Sequence, residues 1–323
     1  MLYILKTALE LGFLYAMVPI ALFISYRVLD IADLTTDGCF VLGAAVSVMM
    51  AKAGHPILGI PLAMLAGACA GFVTAFLHTK LKVPSILSGI ITNTGLYTIN
   101  LMVMGWSSNQ SLLKQGTVFS MLKNALKDQK TDFMVKLSDW YAVILSSVVV
   151  IIVSLLILAF LGTRLGLSIR ATGDNLDMVR ASSINPAFTI TVGLCIANAM
   201  TALSGAMVGQ YQKTVDINSG TGIVVIGLAC LIIGETIIGR RPFFKGIIAA
   251  VVGSIVYRII YAVVLYTKVL PVEFLKLITA IVVALAIAFP AIRKWFAFQG
   301  KKIRHSQGEK AASSTNESGK GDK

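Results

Sequence analysis

The distribution of apolar residues constrains this chain more than any other feature of its sequence. Eight stretches carry almost no charge and are about 20 residues long, which is the length that an α-helix needs to cross the hydrocarbon core of a bilayer. A mean hydropathy of +0.82 supports the same interpretation. The sequence therefore predicts an all-α polytopic helix bundle in the membrane. The predicted spans are 7–29, 56–78, 84–104, 140–162, 187–209, 222–239, 246–267 and 271–290.

A further apolar segment, 38–51, is only 14 residues long and is either a short span or a re-entrant piece that protein shields from lipid. If it crosses, the arginines at span ends all face one side, whereas eight spans would divide them between both sides. Basic residues in short loops mark the cytoplasm. We therefore predict nine spans in the bacterial inner membrane, with the N-terminus outside and the C-terminus in the cytoplasm. These arginines are Arg27, Arg164, Arg170, Arg180, Arg240, Arg241, Arg293 and Arg304.

The sequence also contains an internal repeat, with an offset of 184 to 186 residues. In the nine-span topology the first copy enters the bilayer from inside and the second from outside. Such inverted-topology repeats are typical of transporters, whose pathway lies where the two halves meet. The matched positions are Gly38 with Gly222, Gly43 with Gly227, Pro56 with Pro242, and Gly67 with Gly253.

We divide the chain into a transmembrane domain, 1–290, and a basic, polar tail, 291–323, which we expect to be disordered in the cytoplasm. The two pseudo-symmetric halves of the domain are 7–104 and 187–290, joined by an outer loop, a linking span and a polar loop. The net charge of +13 lies in the loops and the tail, where it orients the spans, so we expect no nucleic-acid partner.

The loop 166–188 is too polar to enter lipid and contains a short helix-like stretch. An amphipathic helix flanked by basic residues is suited to docking into a groove of a partner protein. The predicted N-cap is Asp174 or Asn175, the apolar side comprises Met178, Val179 and Ala181, and Asn185-Pro186 ends the helix.

This loop resembles the coupling loop of ABC permeases of the branched-chain amino acid and ribose importer type, through the pattern G-x-x-I-R-A-x-G-x-N followed by Ala and I-N. A glycine usually precedes Ile-Asn in that family, and Ser183 stands at that position here. Within the family, the chain is similar to permeases of tryptophan and tyrosine transport systems. The coupling-loop residues are Gly166, Ile169, Arg170, Ala171, Gly173, Asn175, Arg180, Ala181, Ile184 and Asn185.

The resemblance implies a permease that works as a homodimer for a small solute, with an amino acid as one candidate. A solute-binding protein or lipoprotein would deliver the solute outside, and two cytoplasmic ABC ATPase subunits would grip the loop around 175–184. ATP and magnesium belong to those ATPases, so we expect no cofactor in this chain, which has no G-x-x-x-x-G-K-[ST] loop. We expect neither a catalytic constellation nor a metal site, because the three histidines are scattered.

Arg258 lies in the middle of a span, beside Tyr257 and Tyr261. A charge at that depth costs at least about 2.5 kcal/mol, so it should face protein or water rather than lipid. Two roles remain open: contact with an anionic group of the solute, or a structural ion pair with Glu10.

Asn93 and Asn198 are polar residues within spans, where they either hydrogen-bond neighbouring helices or line the solute pathway. Tyr211 and Asp216 belong to a glycine-rich outer loop, which is either an outer gate or an ordinary turn.

Two rival functions are an ion-coupled secondary transporter and a non-transporting scaffold. The first would more often carry several carboxylates near the bilayer midplane. Only Glu10 and Glu235 approach such a position, and we expect Glu235 to form a structural salt bridge with Arg240 and Arg241.

Overall fold

A computed structural model describes residues 2–113, 115–128, 140–239 and 243–267, together with positions 280, 281, 284 and 288. The chain forms two compact units, 1–272 and 273–323. In the second unit the four described positions are helical. The predicted tail and most of the predicted span 271–290 lie outside the described residues.

The first unit is built almost entirely of helices. Helix α1 continues directly into a π-helical segment, and two short strands pair antiparallel with each other. The elements are α1 (Leu2–Leu22), the π-helical segment (Phe23–Val28), α2 (Thr36–Lys52), α3 (Pro56–Thr79), α4 (Ser85–Val103), β1 (Asn109–Ser111), α5 (Val118–Asp128), α6 (Tyr141–Leu161), α7 (Arg164–Asp174), α8 (Leu176–Ala181), α9 (Pro186–Gln212), β2 (Thr214–Asp216), α10 (Ile223–Ile238) and α11 (Phe243–Thr267).

Six of the described helices are long and apolar enough to cross a membrane: α1 with its π-helical segment, α3, α4, α6, α9 and α11. Helix α10, at 16 residues, is a shorter apolar helix. The segment 38–51 lies within α2, which has 17 residues. The prediction of an all-helical polytopic bundle is confirmed, but six spans of full length do not by themselves establish the predicted nine. The sequence analysis also missed α5 and the β1–β2 pair.

Helix α6 shows why the bundle needs a bilayer. Its buried residues recur every three or four positions, so one face packs against the protein. The opposite face is equally apolar, and such a surface is stable against lipid tails but not against water. The exposed residues of that face are Val148, Ile151, Ile152, Leu155 and Leu156.

Glycines let α9 lie directly against α2 and α3. A Cβ added at Gly43 of α2 would overlap the carbonyl oxygen of Ala202, and one at Gly205 of α9 would overlap that of Phe40. On α3, a Cβ at Gly67 would stand 2.5 Å from the Cβ of Ala202. Contact at backbone distance maximises dispersion attraction where no hydrophobic effect acts between helices.

Two buried serines tie the long helices to α1. The Ser204 hydroxyl donates to the carbonyl oxygen of Leu14 at 2.8 Å, and the Ser254 hydroxyl donates to that of Gly12 at 2.7 Å. These bonds join α9 and α11 to the same stretch of α1, which therefore lies at the centre of the bundle.

The backbone contact at Gly205 predicts the outcome of a single substitution. Gly205→Ala should lower the melting temperature of the purified protein, because its methyl group must separate α9 from α2. We expect a loss of about 1–3 kcal/mol, measured by thermal unfolding in detergent. Gly95→Ala on α4 is the matched control, since a Cβ there meets open space. Equal melting temperatures for the two variants would contradict this packing.

Candidate functional site

Helix α7 folds back onto the end of α6. The Thr163 side chain caps α7 by accepting a hydrogen bond from the Gly166 amide at 3.2 Å. A Cβ at Gly166 would overlap the carbonyl oxygen of Phe160, and the Ile169 side chain is fully buried. Gly166 and Ile169 therefore fix the position of the polar loop and present no surface to a partner.

The far end of α7 contacts three membrane helices. A Cβ at Gly173 would overlap the carbonyl oxygen of Val28, at the end of the π-helical segment. The Arg170 guanidinium lies 3.8 Å from the ring centroid of Phe243, the first residue of α11. The hydroxyls of Thr172 and Thr189 share a hydrogen bond of 2.8 Å, which adds a contact with α9. Displacement of α7 would therefore act on all three helices.

Helix α8 forms the exposed tip of the loop. Asn175 is its N-cap, and the carboxamide oxygen accepts hydrogen bonds from the amides of Asp177 at 3.1 Å and Met178 at 3.0 Å. Val179 is fully buried, whereas Met178 is 59% exposed. Arg180 is exposed and lies 3.5 Å from the Asp177 carboxylate. The tip thus presents an exposed apolar side chain and an exposed basic one.

The expectation that Asn185-Pro186 ends this short helix is wrong. Helix α8 ends at Ala181, and Ser183 adopts a left-handed conformation with φ of 59°. Asn185 instead caps α9 by accepting a hydrogen bond from the Ala187 amide at 3.0 Å, and Pro186 is the first residue of α9. Proline suits that position because its missing N–H would have no partner in the helix.

A second polar site lies where α2 and α10 begin. The Asp37 carboxylate, in the first turn of α2, accepts hydrogen bonds from the amides of Gly222 at 3.0 Å and Val224 at 2.9 Å. Gly222, with φ of 85°, provides no side-chain cap of its own. Asp37 therefore supplies the N-terminal cap of a helix that lies about 185 residues further along the chain.

A cavity of about 330 Å³ adjoins this contact. Asn100 forms part of its wall, is 2% exposed, and donates through Nδ2 to the carbonyl oxygen of Gly38 at 3.2 Å. Its Oδ1 has no hydrogen-bond partner within the described part of the chain. The lining residues are Asp37, Gly38, Val41, Asn93, Thr94, Tyr97, Asn100, Ile217, Asn218, Gly220 and Thr221.

Comparison with known proteins identifies the type of bundle. A family model described as the permease component of the branched-chain amino acid transport system matches residues 4–288. The chain belongs to this family. No solved structure matches the permease.

Named relatives of the permease are also ABC or transport permeases. It is 33% identical over 269 residues to the tyrosine transport system permease protein of Clostridioides difficile, covering 83% of this chain and 85% of the relative. It is 26% identical over 270 residues to the nucleoside ABC transporter permease protein NupB of Lactococcus lactis, covering 79% and 71%. It is 29% identical over 175 residues to the autoinducer 2 import system permease protein LsrC of Photorhabdus luminescens, covering 54% and 48%.

The two asparagines of the predicted pathway are in different environments. Asn93 lines the cavity beside Asp37. Asn198 is buried, and its Nδ2 donates to the Asp33 carboxylate at 2.6 Å. Asn198 therefore ties α9 to the segment that precedes α2, and neither Asp33 nor Asp37 was expected from the sequence to have such a role. The repeat alignment, which begins its two copies at Asp37 and Thr221, was the available signal for Asp37.

Arg258 and its neighbouring tyrosines lie apart from the Asp37 cavity. The Arg258 guanidinium packs on the ring of Tyr15, 3.6 Å from its centroid, and lies 5.8 Å from that of Tyr261. Tyr257 is buried. Arg258 and Tyr261 line a mostly apolar cavity of about 340 Å³ between α1 and α11.

Of the two roles left open for Arg258, the ion pair with Glu10 is not formed, because the salt bridges among the described residues do not include it. Glu10 instead accepts a hydrogen bond from the Tyr211 hydroxyl at 2.5 Å, and the Tyr211 ring packs edge-on against Phe119 of α5. Asp216 lies in β2 and accepts from the Asn218 amide at 2.7 Å. Tyr211 thus lies near the end of α9, whereas Asp216 ends β2 and begins the turn that follows it.

Glu235, near the end of α10, forms an ion pair through both of its carboxylate oxygens, and a structural salt bridge was expected at this residue. Its partner is Arg27 of the π-helical segment: Nε donates to Oε1 at 2.7 Å and Nη2 to Oε2 at 2.5 Å. Arg240 and Arg241, the partners expected from sequence, lie outside the described residues.

The left-handed backbone at Ser183 generates a local prediction. Ser183→Gly removes the steric penalty of that conformation, whereas Ser183→Val increases it, by about 1 kcal/mol or more. The loop should therefore open less often in the glycine variant and more often in the valine variant. Tryptic cleavage after Arg180 in the folded protein measures this opening. Cleavage at the same rate in both variants would show that the turn is not populated.

Proposed function

We propose that this permease is the membrane-spanning subunit of a binding-protein-dependent ABC importer that carries a small solute, with an amino acid as the best candidate. The exposed helix α8, mounted on an α7 that contacts the π-helical segment, α9 and α11, carries this proposal. A relative named for tyrosine transport supports the amino acid, while relatives named for nucleosides and autoinducer 2 mark the wider range of solutes.

The partner that α8 fits is a cytoplasmic ATPase subunit with an apolar groove and acidic residues at its rim. Met178 would enter the groove and Arg180 would meet the rim. Movement of the ATPase would then be transmitted through Gly173 to the end of α1 and through Arg170 to the start of α11. ATP and magnesium would be bound by that partner, and this chain would transmit the force.

We further propose that two copies of the chain form the importer in the bacterial inner membrane, with a solute-binding protein or lipoprotein at the outer face. The solute pathway would run past Asn93, with Arg258, Tyr257 and Tyr261 as a separate group along α11. Tyr211 and Asp216, beside β1, β2 and α5, would form the outer gate. The described exterior of α4 carries Thr94 and Tyr97 and is the face we assign to the pathway.

The proposed topology has nine spans, counting α2 and α10, and two inverted halves, 7–104 and 187–290. The packing supports this repeat: α1 of the first half lies along α11 of the second, and α9 of the second lies along α3 of the first. These two reciprocal contacts between the halves are expected when α1–α3 and α9–α11 are related by a two-fold axis in the membrane plane. The starts of α2 and α10, which meet at Asp37, would lie near that axis.

The docking role of α8 predicts the effect of a double substitution. Met178→Asp with Arg180→Glu should reduce co-purification of the ATPase subunit at least about tenfold, because it places one carboxylate in the apolar groove and another against the acidic rim. Uptake should fall with it. The readouts are ATPase recovered with tagged permease and ATP-driven uptake in proteoliposomes.

Lys80→Glu is the control, since Lys80 is an exposed basic residue at the end of α3, on the same predicted face of the membrane. It should leave recovery of the ATPase within twofold of the wild type. Full recovery with the double variant would refute docking through α8.

The proposed orientation predicts which introduced thiols are accessible. In a permease with its four native cysteines replaced, Ser182→Cys at the α8 tip should react with an impermeant maleimide only after the membrane is opened. Leu113→Cys, between β1 and α5, should react in intact spheroplasts because the topology places it outside. Both positions are exposed. The reverse labelling pattern would show that the topology is opposite to the proposed one. Helix α8 would then lie outside the cytoplasm, where a cytoplasmic ATPase could not reach it.

A further inference from the structure

The cavity at the start of α2 and α10 contains hydrogen-bond acceptors that the protein does not fully use. We propose that this cavity holds the protonated amine of the transported solute, with Asp37 as the counter-charge and Asn100 as a second acceptor. This inference rests on the proposed import function and specifies the chemical class of solute.

In the proposed topology the cavity lies at a depth that a translocated solute passes. Helices α2 and α10 have 17 and 16 residues, so at 1.5 Å per residue each is only about 25 Å long. Each is therefore shorter than the ~30 Å hydrocarbon core, so a crossing that includes either helix leaves one end of it inside that core. Asp37 joins the first turns of both helices, and we assign these two starts to the ends within the membrane.

Asp37 brings a negative charge to this depth that only part of the surroundings balances. The two amides of α10 and the partial positive charge of a helix start stabilise the carboxylate. Each carboxylate oxygen can nevertheless accept a further hydrogen bond. No basic side chain is among the described residues that line the cavity. A cation in the cavity would complete the balance.

Asn100 supplies an independent indication of the missing group. Because Nδ2 donates to the carbonyl of Gly38, the remaining atom of the carboxamide, Oδ1, is an acceptor. Asn100 is almost fully buried, and Oδ1 meets no donor in the described structure. A buried polar atom without a partner costs about 1–3 kcal/mol. An ammonium group has three N–H donors, enough for Asp37 and Asn100 together.

The remaining wall suits the rest of a zwitterionic solute. The hydroxyl of Thr221 and the carboxamides of Asn93 and Asn218 can donate to a solute carboxylate, while Val41 and Ile217 offer apolar contact. A volume of about 330 Å³ is at the small end of the range for ligand sites. Tyr97, which is 51% exposed, stands at the rim.

This arrangement should select for the amine rather than for the side chain of the solute. A solute without a protonated amine would leave both acceptors unpaired as it entered, and a site built for a hydrogen-bonding group rejects such analogues strongly. The apolar contacts discriminate less, because a methylene group changes binding by only about 1–3 kcal/mol.

The test uses the complete importer, with its ATPase and binding protein, in proteoliposomes that contain potassium salts and no sodium. Uptake from an equimolar mixture of L-tyrosine, other zwitterionic amino acids, neutral nucleosides and sugars is followed by mass spectrometry. We expect the accumulated solutes to carry a protonated amine. Asp37→Asn should reduce their uptake at least about tenfold, the value of one hydrogen bond to a charged group.

Two variants separate recognition from folding. Asn100→Ala removes the unpaired acceptor but leaves Asp37 to cap α10, so it should also reduce uptake. The loss of the bond to Gly38 should lower the melting temperature by no more than Gly205→Ala does. Asp30→Asn makes the same chemical change as Asp37→Asn at an exposed acid with a left-handed φ of 56°, which asparagine tolerates, and should transport like the wild type.

The remaining outcomes contradict either the amine site alone or the proposed import function as well. Accumulation of nucleosides or sugars alone, or wild-type uptake by both the Asp37 and Asn100 variants, would overturn the amine site and leave the importer intact. If the wild-type complex accumulates no solute while it hydrolyses ATP, the proposed import function fails and the amine site fails with it.

Discussion

The bundle depends on satisfying the backbone amides at the start of α10, which lies beside the start of α2. A helix start has amides without partners in the helix, and lipid offers none. In this permease a carboxylate from one half of the chain supplies partners for the other half: Asp37 accepts from the amides of Gly222 and Val224. The same group that makes the broken geometry stable also brings charge into the bundle. The proposed amine site would therefore combine structural and recognition roles in one side chain.

In the polar loop, by contrast, the structural and the exposed roles belong to different residues. Gly166, Ile169 and Gly173 bury α7 against the membrane helices, whereas Met178 and Arg180 remain exposed on α8. A firmly seated helix that carries an exposed one is suited to transmitting a push, because a force on the exposed helix reaches the membrane helices through the close contacts of α7. The short α8 depends on its Asn175 cap, since six residues are too few for a stable helix alone.

Sequence alone predicted the helices well, because about 20 apolar residues in succession have few alternatives to a membrane helix. It also narrowed the α8 cap to Asp174 or Asn175, because a cap is a local feature of three or four residues, and the structure has Asn175. It missed what depends on distant pairing. Glu10 was matched with Arg258 by depth, yet its partner is Tyr211, and the roles of Asp33 and Asp37 arise from contacts with Asn198 and Gly222. Strands β1 and β2 were not predicted from the sequence, because each is three residues long and forms only by pairing with the other.

The glycine contacts of α9 limit how the permease can change shape. Gly43, Gly67 and Gly205 bring the backbones of neighbouring helices together. Sliding one of these helices along another would therefore drive carbonyl groups into the backbone of the neighbouring helix. Helices α2, α3 and α9 should consequently travel as one rigid block. The freedom needed for alternating access must then reside at boundaries filled by flexible side chains, such as the contact between α6 and α1. Relative rotation of whole blocks, rather than bending of single helices, is the motion that this architecture permits.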